Sequence, residues 1–340
     1  MREAVHGSDP LALYRAAQRA GSPMSGSYHR NVRVQARHGP VLVRIPLPGA
    51  DQMDLRVWPE WEVLGVVAQY VEQVPRLLHV CADPPFQIHE FVRGGRLNEL
   101  APRGHPVPPE VIPGVLALFD QLAGTRGAAL PPLPASWPSD GDCPAFAELV
   151  SGATQRIYDA HRDEFGDLFA ALGIPEDPLA PVVAAWPELA RRPFRMLHAD
   201  VHRRNILLAS SGAVFLDWEL ALWGDPLYDL AVHLNKMTYL AEERRALLRG
   251  WAARTDPAGS RPADLTAYLR HEQVKAAIVH SIRYTRQILA GTTTATTRHT
   301  LVHKLTHNLN AARRTWSRPA PLTTEHVERL ILSQSGCRLQ

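Results

Sequence analysis

Apolar and polar residues alternate near the start of the chain and fall at helical spacing almost everywhere after it. Residues 10–21 put Leu11, Leu13, Tyr14 and Ala17 on one side of a short helix, which the following Gly21-Ser-Pro-Met-Ser-Gly26 breaks. Val32 and Val34 then alternate with Arg33 and Gln35, predicting a strand with one wet face. His38-Gly39-Pro40 turns the chain, and Val41–Ile45 returns as a second strand. Helical spacing resumes from Glu60 through Tyr70. Leu77–Val80 and Phe86–Val92 predict two more strands, the second ended by Gly94-Gly95.

Beyond Gly95 the pattern changes. Prolines punctuate 102–113 and 131–144, with Val115–Leu122 helical between them, and 145–171 and 178–191 predict further helices. Arg195–His198 is a short strand leading into a polar loop. Asn205–Leu208, a Ser210-Ser-Gly turn and Val214–Asp217 make a small hairpin. From Leu227 on, helices are expected at 227–235, 241–253, 263–289 and 298–316, with the threonine-rich Ala290–Thr297 as a loop. The sequence shows no internal repeat. Its 340 residues exceed the roughly 250–300 at which one core stops growing, so two lobes are expected.

Composition narrows the class. Hydrophobic content of 45% with 21% charged residues is that of a globular protein. The longest apolar runs, such as Val63–Val67, are far short of the roughly 20 residues that span a bilayer, so no membrane partner is expected. Residues 1–10 contain no apolar signal core. Cys81, Cys143 and Cys337 are odd in number and far apart, which fits reduced thiols of a cytoplasmic protein. A net charge of +3 leaves room for nucleic acid, but the arginines fall in scattered pairs such as Arg191-Arg192 and Arg313-Arg314. No nucleic-acid motif accompanies them, and a solvated surface explains them. Nothing in the sequence fixes an oligomeric state.

The chemistry concentrates in His198-Ala-Asp200-Val-His-Arg-Arg-Asn205 and Val214-Phe-Leu-Asp217-Trp-Glu219. Any one of these acids or amides could simply cap a turn. Together, two carboxylates and an amide on a loop and hairpin are the minimum for moving a phosphoryl group with magnesium. Asp200 would take the proton of a substrate hydroxyl. Asn205 and Asp217 would hold Mg²⁺, which keeps several waters and needs few protein oxygens. A zinc hydrolase is the rival, because His198 and His202 are four apart as zinc ligands on helices are. That spacing needs a helix, and the residues before His198 predict a strand. His198 is expected to brace the loop through hydrogen bonds to backbone carbonyls.

His198-x-Asp200-x-x-x-x-Asn205, Asp217-Trp-Glu219 and Gly224-Asp-Pro-Leu-Tyr-Asp229-Leu-Ala231 together resemble the signature of the aminoglycoside phosphotransferases and their choline-kinase-like relatives, over roughly residues 20–290. The resemblance implies an α+β, bilobal protein-kinase-like fold. Residues 1–92 would form a mainly β N-lobe carrying the nucleotide sheet and hinge. Residues 93–340 would form a helical C-lobe carrying the catalytic loop and substrate site. It implies ATP or GTP in the cleft between, Asp200 as base, Asn205 and Asp217 as magnesium ligands, and Asp229 as a structural cap of the next helix. Ser25, Gly26 and Ser27 sit where relatives cover the phosphates, although only one glycine is present. No Gly-x-x-x-x-Gly-Lys-Ser/Thr motif occurs. Arg44 stands where protein kinases have lysine, with Glu60 as its best partner on the following helix and Glu62 a close second that sequence does not separate. Gln87–Val92, with Glu90 and Val92, resembles the segment whose backbone reads the adenine edge. Ala199 and Arg204 depart from the glycines of relatives.

The acceptor would be a small-molecule hydroxyl compound, an antibiotic or a related natural product. A metabolic alcohol, sugar or choline-like kinase and a catalytically silent nucleotide-binding regulator are the other readings. From Ser151 onward, Lys and Arg outnumber Asp and Glu by about five. His271, Glu272, Lys275, His280, Arg283 and Tyr284 give one long helix a mixed face. Both features point away from a polycationic acceptor.

Overall fold

The computed structural model describes residues 4–21, 28–47, 53–257, 259–318 and 320–334. Helix α1 (Pro10–Arg19), capped by the Asp9 side chain, lies on the antiparallel hairpin of β1 (His29–Ala36) and β2 (Gly39–Pro46). Helix α2 (Glu60–Val67) follows, then β3 (Leu77–Ala82) and β4 (Pro85–Glu90). The four strands form one antiparallel sheet in the order β1-β2-β4-β3. Alternation decides its faces. Val32, Val34, Val41, Val43, Phe86 and Ile88 point to one side and bury against Leu13 and Ala17 of α1. Arg44 escapes that face and points into the space behind the sheet. The apolar side of α2, with Val63, Leu64 and Val67, joins the second and larger core instead.

That larger core belongs to the helices. A short β5 (Gly95–Arg96) and α3 (Leu97–Leu100) lead into α4 (Val111–Ala123) and α5 (Cys143–Leu172), which ends on Gly173 in the left-handed conformation. The expected helix 178–191 is only a four-residue turn, α6 (Ala180–Val183), and a 3₁₀ turn, Trp186–Glu188. Pro187 lacks the N–H that would have carried a helix through this point. Next come β6 (Arg195–Leu197), β7 (Ile206–Ala209), β8 (Gly212–Phe215) and β9 (Leu222–Gly224). β7 pairs with β5 and β8, and β6 with β9. Strand β9, helix α3 and the last helix are additions to the sequence reading.

Helices α7 (Pro226–Met237), α8 (Ala241–Ala252), α9 (Pro262–Leu289), α10 (Ala295–Arg313) and α11 (Thr324–Ser333) complete the chain. The threonine-rich stretch is a loop only to Thr294, whose hydroxyl accepts from the Thr297 N–H and starts α10 three residues earlier than expected. Long α9 packs against α5, α7 and α10. A buried knot, in which Arg192 meets Asp225 and Asp264 and the Tyr268 hydroxyl donates to Asp225, ties α7 and α9 to the segment before β6. Among the described residues, no helix is long and apolar enough to cross a membrane. Cys81 and Cys143 are free thiols.

Candidate active site

A cleft of about 1160 Å³ runs between the four-stranded sheet and the helices. Arg44, Glu90, Phe91 and Val92 line its sheet side, Asp200, Asn205 and Asp217 its floor, and Arg283 and Tyr284 of α9 the helical wall. It exceeds the roughly 300–1,000 Å³ of an ordinary ligand pocket, leaving room for a nucleotide beside a second small molecule.

Each floor residue is held by the chain around it. The loop from His198 to Asn205 hangs from Asp229, whose two carboxylate oxygens accept the His198 and Ala199 backbone N–H groups at 2.8 and 2.9 Å. Asp229 is therefore not the cap of α7. Asp225 is, accepting from the Leu227 N–H at 2.9 Å. Ala199 adopts φ +56°, a left-handed conformation that glycine enters without strain. His198 makes none of the expected carbonyl bonds. Its ring lies 4.3 Å from the Trp218 ring, and neither nitrogen has a hydrogen-bond partner among the described residues. Burial pushes its pKa down to about 4, so the ring is neutral.

The Asn205 amide donates to the Asp200 backbone oxygen at 3.1 Å and to its carboxylate at 2.9 Å. Its own backbone oxygen accepts from the Leu216 N–H at 2.8 Å, so the β7–β8 hairpin brings Asn205 beside Asp217. Asp217 does not end a strand as expected. It stands two residues past β8 at φ +68°, a strained position for a non-glycine residue, with its side chain 34% exposed to the cleft.

Arg44 bridges the two halves of the site. One guanidinium nitrogen meets Glu60 at 2.8 Å and the other meets Asp217 at 2.8 Å. Burial works against its charge, but the two carboxylates hold its pKa above the ordinary value. Glu60 also accepts the Trp218 N–H at 3.0 Å. The choice between Glu60 and Glu62 is thus decided for Glu60. Glu62 forms no ion pair among the described residues. Replacing Glu60 by alanine should cost about 3 kcal/mol, because it breaks a buried pair, whereas Glu62→Ala should stay within about 0.5 kcal/mol. Urea denaturation of both variants reads this directly, and equal losses would contradict the pairing.

Ser25, Gly26 and Ser27 lie outside the described residues. Glu90 and Val92 line the cleft where β4 leaves the sheet, and the Glu90 N–H donates to the Arg76 carbonyl at 2.8 Å.

Further residues complete the site, Lys236, Arg56 and Asp54 among them not singled out by the sequence. Lys236 donates to the Asp200 carboxylate at 2.5 Å, which keeps its pKa raised although burial opposes its charge. Glu219, its role left open by the sequence, pairs with Arg56 at 3.2 Å. Burial and the neighbouring Asp217 push its pKa up to about 8. Asp54 pairs with Lys275 of α9 at 3.2 Å, and Arg283 donates to the Tyr28 hydroxyl at 2.7 Å. The mixed face of α9 therefore grips the sheet side of the cleft. One signal was readable: Asp229, His233 and Lys236 recur at i, i+4 and i+7, a polar stripe on a buried helix. His233 meets the Val201 carbonyl and Lys236 reaches Asp200, so the whole stripe holds the loop from His198 to Asn205.

Asp229→Ala should therefore orphan two buried backbone donors at about 1–3 kcal/mol each. A drop of several degrees in Tm together with lower turnover is the expected result, and an unchanged Tm would show that the loop is held elsewhere.

The sequence model of the phosphotransferase enzyme family matches residues 22–263. The chain belongs to this family. It is accordingly a small-molecule phosphotransferase, and its fold is the protein-kinase-like one of these enzymes. A choline/ethanolamine kinase family protein from Mesorhizobium loti is similar over 91% of both chains, at 14% identity and a TM-score of 0.55. An ethanolamine kinase from Plasmodium vivax matches over 96% of this chain and 87% of its own, at 12% identity and a TM-score of 0.56. A thermostable variant of aminoglycoside phosphotransferase APH(4)-Ia, in a ternary complex with AMP-PNP and hygromycin B, covers 95% of this chain and 99% of its own, at 14% identity and a TM-score of 0.53. No curated protein sequence matches the chain.

Proposed function

We propose that this phosphotransferase moves the γ-phosphoryl group of ATP or GTP onto a hydroxyl of a small natural product such as an antibiotic, with Asp200 as the general base. The observation that carries the proposal is the setting of Asp200. Its carboxylate is fixed by the Asn205 amide and Lys236 on the floor of a cleft that also holds Asp217, with Arg44, paired to Glu60, reaching Asp217 from the sheet side. Asp200 would accept the proton as the acceptor oxygen attacks phosphorus. Lys236 would orient that carboxylate. Arg44 would offer its planar fork to the donor phosphates while keeping Asp217 aimed. Glu90 and Val92 lie where the nucleotide base would meet the backbone, and Ser25, Gly26 and Ser27 belong to the segment proposed to cover the phosphates.

Asn205 and Asp217 fit a magnesium ion. With the Asn205 nitrogen committed to Asp200, its oxygen is left for a metal, and Asp217 keeps one oxygen outside its bond to Arg44. Two oxygens suit an ion that keeps several waters and takes phosphate oxygens. When bound, Mg²⁺ would neutralise developing charge on the phosphates. The zinc reading has no such support: among the described residues, no three of His, Cys, Asp and Glu cluster to hold a metal.

The test is incubation with ATP or GTP, Mg²⁺ and a panel of hydroxyl-bearing antibiotics and metabolic alcohols, read by mass spectrometry for a phosphoryl mass gain. A gain that needs both Mg²⁺ and Asp200 is expected. Nucleotide binding without transfer to any acceptor would favour the regulator reading.

A further inference from the structure

Every carboxylate lining the cleft, from Asp54 to Glu219, has a cation at 3.2 Å or closer. The converse does not hold. Arg103, Arg204 and Lys304 line the same cleft and, like Arg96 and the carbonyl-bound Arg203, form no ion pair among the described residues. Arg103 reaches only the Lys236 carbonyl, at 3.4 Å.

The chain brings these three together by construction. Buried Arg203 donates to the Ala101 and His105 carbonyls at 2.6 and 3.2 Å, which pins the loop carrying Arg103 onto the catalytic loop. Arg204 is the next residue along that loop. Lys304 projects from α10, whose Thr296, Thr297 and Thr300 line the cleft beside it. Their charges are felt mutually: after burial, Arg204 and Arg103 lower the pKa of Lys304, and Arg204 lowers that of Arg103. The sequence offers no local remedy. Between Glu272 and Glu325 there is no Asp or Glu, while there are eight Lys and Arg. Like charges held together without a counter-charge destabilise a fold, a cost that an anionic ligand removes. Arginine forks also match phosphate and carboxylate oxygens in pairs.

We infer that Arg103, Arg204 and Lys304 form an anion-binding subsite for the acceptor, so that the molecule phosphorylated carries a phosphate or carboxylate besides the hydroxyl presented to Asp200. The inference rests on the phosphotransfer reading, and it sharpens the expectation of a less cationic acceptor to an acidic one. Choline- or polyamine-like acceptors would be repelled from this wall.

The test uses the full chain saturated with Mg²⁺ and AMP-PNP, so that the donor site is filled, and titrates it with glycerol 3-phosphate, glycerate and glycerol in a calorimeter. At least one acidic probe should bind roughly tenfold or more tightly than glycerol, and the tighter of the two names the acidic group. The double substitution R103Q/K304Q should weaken that probe by about tenfold or more while leaving AMP-PNP affinity unchanged. Failure of both acidic probes to bind, equal binding of glycerol, or full affinity in the double variant would overturn the subsite. Loss of AMP-PNP affinity in the double variant would assign the cluster to the nucleotide and overturn it too. Absence of Mg²⁺-dependent AMP-PNP binding in the unmodified protein is a different result: it would remove the phosphotransfer reading, and the subsite with it.

Discussion

Asp200→Ala should lower turnover by roughly two to four orders of magnitude, the range a general base contributes, while the affinity for Mg-nucleotide stays within a few-fold. The two halves of this expectation have separate structural grounds. Removing the carboxylate takes away the group proposed to receive the acceptor proton. It does not dismantle the loop. Asn205 still donates to the backbone oxygen of residue 200, and Asp229 still accepts the N–H groups of His198 and Ala199. Lys236 loses its partner, but its side chain is 25% exposed and can be solvated from the cleft. Asp200→Asn keeps the shape and removes the basicity, so it should fall nearly as far as alanine. Single-turnover kinetics with a confirmed acceptor measure the loss. Near-normal turnover in either variant would remove Asp200 from its proposed role.

The parts of this molecule that depend on short stretches of chain were readable from the sequence. Alternation of valine with polar residues located β1 and β2, and helical spacing located α2, α5, α7, α8 and α9 to within a few residues. The loop from His198 to Asn205 stood out by residue type, and the structure places it on the cleft floor. What failed depends on tertiary partners or single-residue backbone states. Asp217 is an acid at the end of an apolar run, and nothing local shows that the chain turns left-handed to present it. His198 is a polar residue in a polar stretch, yet it is consumed by an aromatic neighbour 20 positions on, Trp218. Asp225 and Asp229 both precede or open a helix, and propensity favours either as the cap; only the approach of the β6 end to α7 separates them.

The same reasoning explains the acceptor side. A sequence gives net charge along a helix but not which charges cancel. Asp54 is spent on Lys275 and Arg283 of α9, and Glu272 meets Lys275 on α9 itself. Arg103, Arg204 and Lys304, drawn from about 200 positions of chain, face one space without an acid paired to them among the described residues. Charge counted by lobe gave the right sign for the wall, while the pairing pattern gives its location.

Asp217→Ala should act on the nucleotide more than on the acceptor, and its effect on turnover should be as large as that of the base. One oxygen of its carboxylate holds Arg44, and the other is the one proposed for magnesium. Losing the metal's contribution to charge neutralisation would remove several kcal/mol of transition-state stabilisation, or roughly 10²–10⁴ in rate. Arg44 would not be set adrift, because Glu60 still holds its other nitrogen inside the site. Calorimetry with Mg-AMP-PNP should therefore show weakened binding in Asp217→Ala and nearly unchanged binding in Asp200→Ala. Titrating Mg²⁺ at fixed nucleotide separates the two uses of the carboxylate. A raised magnesium requirement marks a lost metal ligand, whereas unchanged magnesium dependence with weaker nucleotide binding would mean that Asp217 acts only through Arg44.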